Sequence, residues 1–318
     1  MAIVSVSGPP LDSGELAPLV AAGVEFRSVD VVKHGWQAVD GAWAHVLGGA
    51  ESIDSDAAVS LPASIEVVCF VGTGYRSYVD AAALRARGIK VAYTPHANAW
   101  STAEFAITLL LAARRRLLAG LSQVAAGEWS PPEGLSLPGA AIGVVGFGHV
   151  AQHVTRVLVQ GFGARVLVWS RIDRAAEIRA LGAEPASLEA IFAEATSVTI
   201  HVDAPDHPLI TRELLESTPF GFSLINTARA GALDYRNLRS VLDARPDISV
   251  VGDVYPTEPV SIATDTLGLL TLGQERFALT PHMAYLGDHA AREMSKMVVA
   301  NLSAALDGRS LPFAVPEG

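Results

Sequence analysis

Three side chains in the last third of this 318-residue chain have types suited to chemistry. They are Arg229 in Asn226-Thr227-Ala228-Arg229, Glu258 in Asp253-Val254-Tyr255-Pro256-Thr257-Glu258-Pro259, and His282 in Leu279-Thr280-Pro281-His282. A guanidinium holds an anion, an imidazole moves a proton, and a carboxylate tunes that imidazole. Carbonyl reduction beside a nicotinamide requires those three roles. A glycine-rich turn, Gly146-Phe147-Gly148-His149-Val150-Ala151, precedes all three residues. None means much alone; together they point to hydride transfer.

The turn follows an apolar strand pattern and opens a helical one, which is the context a dinucleotide site needs. Gly146 suits the tight turn, and Gly148 lets the backbone approach a pyrophosphate. Ala151, in place of a third glycine, still permits close helix–strand packing. Amides near His149 and Val150 at the helix start face the phosphates. The next strand ends Val168-Trp169-Ser170-Arg171, where an NAD site usually carries Asp or Glu. Arg171 attracts a 2′-phosphate and Ser170 adds a donor, so the expected cofactor is NADP(H). NAD is the alternative, should Asp173 turn inward.

These residues need a scaffold, and the pattern supplies one. Apolar runs predict strands over 2–7, 65–70 and 89–93 in the first part, a small βα domain. A long apolar helix is expected to begin at Ser101, with Ser101 or Thr102 as its cap. A proline-containing loop over 127–139 leads to further strands over 141–146, 165–169, 197–202, 222–226, 248–254 and 277–280. Helical text lies between them, including 149–158 and 235–242, and a last helix covers 288–306. The expectation is an α/β protein with doubly wound parallel sheets.

Composition narrows the partners. Half the residues are hydrophobic and the net charge is −10, which disfavours nucleic acid and anionic membrane. The longest apolar run, 105–113, is far short of the ~20 residues that span a bilayer. One cysteine, Cys69, excludes an intramolecular disulfide and a Cys-rich metal site; no metal is expected. A buried thiol in a reducing compartment, the cytoplasm, is the simplest reading.

Taken together, the glycine turn, Asn226-Thr227-Ala228-Arg229, Asp253 with Glu258, and Thr280-Pro281-His282 resemble the D-isomer-specific 2-hydroxyacid dehydrogenase family. Thr94-Pro95 through Ala103-Glu104 matches its crossing segment. The resemblance implies a Rossmann-type cofactor domain (98–285) inserted into a smaller substrate domain (1–97 and 286–318), a cleft that excludes water on closing, and a homodimer. It implies that His282 protonates the carbonyl, that Glu258 raises its pKa, and that Arg229 binds the substrate carboxylate. Thr73 and Gly74 would offer it backbone amides. Asp253 would contact the nicotinamide carboxamide, with Thr102 and Thr227 lining the cofactor site. Ala230, Arg76, Tyr78 and His96 depart from the family pattern around the substrate.

The leading expectation is an NADP(H)-dependent reductase of a small 2-keto acid such as glyoxylate or hydroxypyruvate. The alternatives are NAD-dependent oxidation of a phosphorylated 2-hydroxy acid, and a non-catalytic nucleotide-sensing module of corepressor type.

Overall fold

The computed structural model describes residues 2–317 except 9, 10, 50 and 204. It divides into two compact units: Met1–Asn98 with Leu286–Gly318, and Ala99–Tyr285.

The first unit is built on a five-stranded parallel sheet of order β2-β1-β3-β4-β5. Its strands are β1 Ile3–Ser7, β2 Glu25–Ser28, β3 Ala44–Leu47, β4 Val67–Phe70 and β5 Lys90–Tyr93. β3 and β4 are buried along their whole length, because helices cover both faces of the sheet. Aspartates start its short helices: Asp12, Asp30, Asp54 and Asp80 each accept a first-turn amide through the side chain. Burial pushes the Cys69 thiol in β4 up to about 12, so it is inert at neutral pH.

The second unit carries a seven-stranded parallel sheet of order β12-β11-β10-β9-β6-β7-β8. These strands are β6 Ala141–Val145, β7 Arg165–Trp169, β8 Glu184–Pro185, β9 Ser197–Ile200, β10 Ser223–Asn226, β11 Ser249–Gly252 and β12 Phe277–Leu279. A core around Phe192, Phe222 and Leu238 packs on one face, and one around Leu110, Ile142 and Leu158 on the other. That double cover explains why most of these strands carry apolar centres without in–out alternation. The chain winds outward in opposite directions from β6 and β9. Their carboxyl ends therefore form the switch point at which such sheets bind ligands.

Two expectations need correction. The long helix begins at Ala99 and runs to Arg114, so Ser101 and Thr102 lie inside it and cap nothing. β2, β3 and β8 are absent from the strands read in the sequence. Among the described residues no helix is long and apolar enough to cross a membrane.

Candidate active site

The glycine turn sits at the switch point. Gly146 has φ +108°, and a Cβ there would lie 2.2 Å from the His201 carbonyl oxygen. The amide of Gly146 donates to the Trp169 carbonyl at 2.9 Å, and the amide of His201 donates to that of Val145 at 2.7 Å. Three strand ends are thereby tied at one point that only glycine can occupy. Gly148 is the N-cap of the helix His149–Arg156 and brings no capping side chain. The N-cap thus offers the first-turn amides no side-chain acceptor of its own, and nothing lies within 4 Å of where a Gly148 Cβ would be. An open helix start of this kind suits a pyrophosphate.

At the end of β7, Ser170 is half-buried and Arg171 exposed. Arg171 has no ion pair or side-chain hydrogen bond among the described residues. The Asp173 carboxylate accepts the Ala175 amide through Oδ1 at 3.0 Å.

β10 ends in Asn226, whose buried side chain shapes the next turn. Its amide nitrogen donates to the Arg229 carbonyl at 3.0 Å, and its oxygen accepts the Ala228 amide at 3.0 Å. Arg229 is held half-buried, with Nη1 donating to the Ala228 carbonyl at 2.7 Å. The Thr227 hydroxyl is buried and has no hydrogen-bond partner among the described residues. A buried polar atom left open beside the switch point fits a site that a bound dinucleotide completes.

Glu258 and His282 meet across 24 positions of sequence. His282 Nδ1 and Glu258 Oε2 are 2.6 Å apart, each side chain about one-third exposed. The hydrogen bond to Glu258 raises the His282 pKa. Burial opposes it, the charges of Glu258 and Asp253 add to it, and Arg229 subtracts, leaving a net rise. Burial works to raise the Glu258 carboxyl, but hydrogen bonds from His282 and the Tyr255 amide outweigh it and hold it low. Both shifts favour the ion pair. The same electrostatics couple Arg229 to both partners.

His282 itself sits at φ +52°, a left-handed conformation uncommon outside glycine. Asp253 holds it there. Its 1 % exposed carboxylate accepts the Thr280 hydroxyl at 2.5 Å, the Met283 amide at 2.9 Å and the Ala284 amide at 2.7 Å. This anchoring of the 280–284 turn was not anticipated from sequence, nor was the framing of Arg229 by Asn226. A strand-end Asp and a strand-end Asn were visible; the donors that meet Asp253 lie 27 to 31 positions along the chain, whereas Asn226 engages the turn that directly follows it.

Thr102 is half-buried within the helix Ala99–Arg114. In the first unit, the Thr73 hydroxyl accepts the His96 amide at 3.0 Å and donates to Asn98 at 3.3 Å. Gly74 leads into a short 3-10 turn, Tyr75–Ser77.

The family described as D-isomer specific 2-hydroxyacid dehydrogenase, NAD binding domain, matches residues 107–284. The D-3-phosphoglycerate dehydrogenase of Mycobacterium tuberculosis is 31% identical over 97% of this chain. The chain spans 58% of that relative's length. The glyoxylate reductase of Thermococcus kodakarensis is 32% identical over 84% of this chain and 80% of its own. The crystal structure of the TT0316 protein from Thermus thermophilus superposes with a TM-score of 0.83. It is 28% identical and covers 98% of this chain and 100% of its own. With the family matched across the whole of the second sheet, and a relative along four-fifths of its length, the chain belongs to the D-isomer-specific 2-hydroxyacid dehydrogenases.

Proposed function

We propose that this protein reduces a small 2-keto acid, glyoxylate and hydroxypyruvate being the type substrates, with hydride supplied by NADPH. The observation that carries the reading is the Glu258–His282 pair, held on the same unit as the glycine turn and Arg229. With Nδ1 engaged by Glu258, His282 Nε2 is the nitrogen that delivers a proton to the carbonyl oxygen as carbon accepts hydride. In the reverse direction, neutral Nε2 takes the proton from the alcohol. Arg229 holds the carboxylate of the acid, and Thr73 and Gly74 add backbone amides.

For the cofactor, we assign the pyrophosphate to Gly146, Gly148 and the amides of His149 and Val150, and the 2′-phosphate to Ser170 and Arg171. Thr102, Thr227 and Asp253 are assigned to the nicotinamide end. Asp253 meets this second duty while anchoring the 280–284 turn. The exposed Leu117, Leu121 and Val124 share one face of the helix Leu117–Ala125 and support a homodimer. Sedimentation as a monomer at micromolar concentration counts against that assembly.

A keto-acid panel run with NADPH and NADH in parallel tests the reading. NADPH should be preferred, and Arg171→Ala should lower the NADPH-to-NADH ratio of kcat/KM by about 10- to 100-fold, the loss of a charge-assisted pair. A wild-type preference for NADH removes the NADP assignment. The likeness to phosphoglycerate dehydrogenases supports a second reading, NAD-linked oxidation of a phosphorylated hydroxy acid. Turnover confined to such acids with NAD selects it. Tight nucleotide binding without turnover of any acid selects the sensing module.

The pH profile offers a separate check. Reduction needs the imidazolium, and Glu258 raises the His282 pKa, so the proton donor persists to higher pH than an ordinary histidine allows. The reductive rate falls as pH rises through that raised value. Glu258→Gln removes the charge, so the fall should move to lower pH. An inflection that stays in place separates Glu258 from the titration.

A further inference from the structure

The first unit has a cavity of about 300 Å³ beside Val71, apolar but for Asp288 and without a group to select a ligand. The second unit has one of about 260 Å³ and of another character. It lies at the amino ends of β10 and β11, where Ser223 and Ser249 open the two strands abreast. Each strand is four residues long, so roughly 13 Å separates this cavity from the carboxyl ends and the switch point. None of the assigned roles uses it.

Arg114, the last residue of the helix Ala99–Arg114, stands in the cavity wall and is 4% exposed. Nη1 donates to the Thr196 hydroxyl at 2.8 Å and the Ser197 hydroxyl at 3.0 Å, and Nη2 to the Ser136 carbonyl at 2.5 Å. All three acceptors are neutral. Nε is buried and has no acceptor among the described residues. Burial lowers the Arg114 pKa and no carboxylate offsets it, yet a guanidinium stays charged at neutral pH. The helix end adds only a partial negative charge. A buried cation without a counter-ion is costly, and an anion would relieve it.

The other polar groups of the wall fit such a guest. The Ser223 and Ser249 hydroxyls are 3.0 Å apart; one donates to the other, which leaves one proton without an acceptor among the described residues. Arg116 is exposed, with no ion pair or side-chain hydrogen bond among the described residues. Asp247 is committed elsewhere, accepting Arg245 Nε at 2.8 Å, Arg245 Nη2 at 2.7 Å and the Gly221 amide at 3.0 Å. Glu133 and Glu275 also line the cavity but are exposed, so they leave the interior to Arg114 and repel extended polyanions.

We propose that this cavity binds one small oxyanion, of the size of phosphate or sulfate, between the Arg114 guanidinium and the Ser223–Ser249 hydroxyls. A tetrahedral oxyanion offers acceptors in several directions, which suits a guanidinium and a hydroxyl that meet it from different sides. A cavity of about 150 Å³ accepts a benzene ring. Five heavy atoms with accompanying water therefore fit the 260 Å³ present here.

The test is isothermal titration of the NADPH-saturated protein with phosphate, sulfate and tripolyphosphate at constant ionic strength. NADPH fills the phosphate positions of the cofactor site. Phosphate and sulfate should each bind once per chain, and tripolyphosphate more weakly than either. Arg114→Met should weaken phosphate binding about 10- to 100-fold, the loss of a charge-assisted contact. Should that variant fail to fold, Ser223→Ala combined with Ser249→Ala carries the test, with a loss of about fivefold. Arg171→Ala should leave the affinity as it is. Absence of phosphate and sulfate binding overturns the site, as does equal affinity in wild type and the altered proteins, or a loss confined to Arg171→Ala. Tripolyphosphate binding more tightly than phosphate overturns it as well. Keto-acid turnover plays no part in the measurement, so the reductase reading stands or falls separately.

Discussion

Replacing His282 by glutamine should lower the rate of keto-acid reduction by about 10²- to 10⁴-fold, the range of a positioned acid–base group. That is about 3–5 kcal/mol of transition-state stabilisation at 1.36 kcal/mol per decade. Glutamine can still donate to Glu258, but it cannot release a proton near neutral pH. The turn itself should survive. Asp253 holds it through the Thr280 hydroxyl and the Met283 and Ala284 amides, none of which involves the imidazole. NADPH affinity and melting temperature should therefore stay close to wild type while kcat collapses. Retention of more than about a tenth of the wild-type rate removes His282 from the proton path. A parallel fall in melting temperature would instead indicate that the left-handed backbone at 282 tolerates histidine and little else.

The second large effect concerns the cofactor turn. Gly146→Ala places a methyl group 2.2 Å from the His201 carbonyl oxygen and 2.7 Å from its carbon. Both are main-chain atoms of the neighbouring strand end, so neither moves without parting β6 from β9. The positive φ adds about 1–2 kcal/mol for any residue with a Cβ. The variant should be destabilised by at least about 3 kcal/mol and lose nucleotide binding, as read by melting temperature and NADPH titration. Gly148→Ala supplies the contrast. Its φ is −74° and the space around its Cβ is open, so the folded protein accommodates a methyl group there. Melting should be unchanged, and any loss of NADPH affinity reports a methyl group meeting the ligand. Gly146→Ala protein with wild-type melting and affinity would show that the strand ends part at little cost, and the account of this turn would fall.

How much of this was legible beforehand depends on what each segment buries. β6, β10 and β11 lie in the interior of a sheet covered on both faces, so each carries an apolar centre that announces itself. β3 is equally buried but reads Ala-His-Val-Leu, and the histidine hides it. Its side chain is fully buried because Ser5 meets Nδ1 at 3.0 Å and Glu51 meets Nε2 at 3.3 Å. Partners 40 and 6 positions away make that polarity tolerable, and no local window contains both. β2, at the sheet edge, exposes Glu25 and Ser28 and carries no apolar signal. The long helix starts at Ala99, two residues before the Ser101 expected from the text.

The same division runs through the candidate site. Residue order and type determined the family, the glycine turn, and the trio of Arg229, Glu258 and His282, because a strained turn and a proton donor each admit few residue types. Folding alone decided that Glu258 reaches His282, that Asp253 fixes the turn beneath it, and that an apolar cavity opens beside Val71. Contact over tens of residues is set by how strands stack and where their ends converge. Proton affinity follows from that contact, since charge and burial act through space and not along the chain.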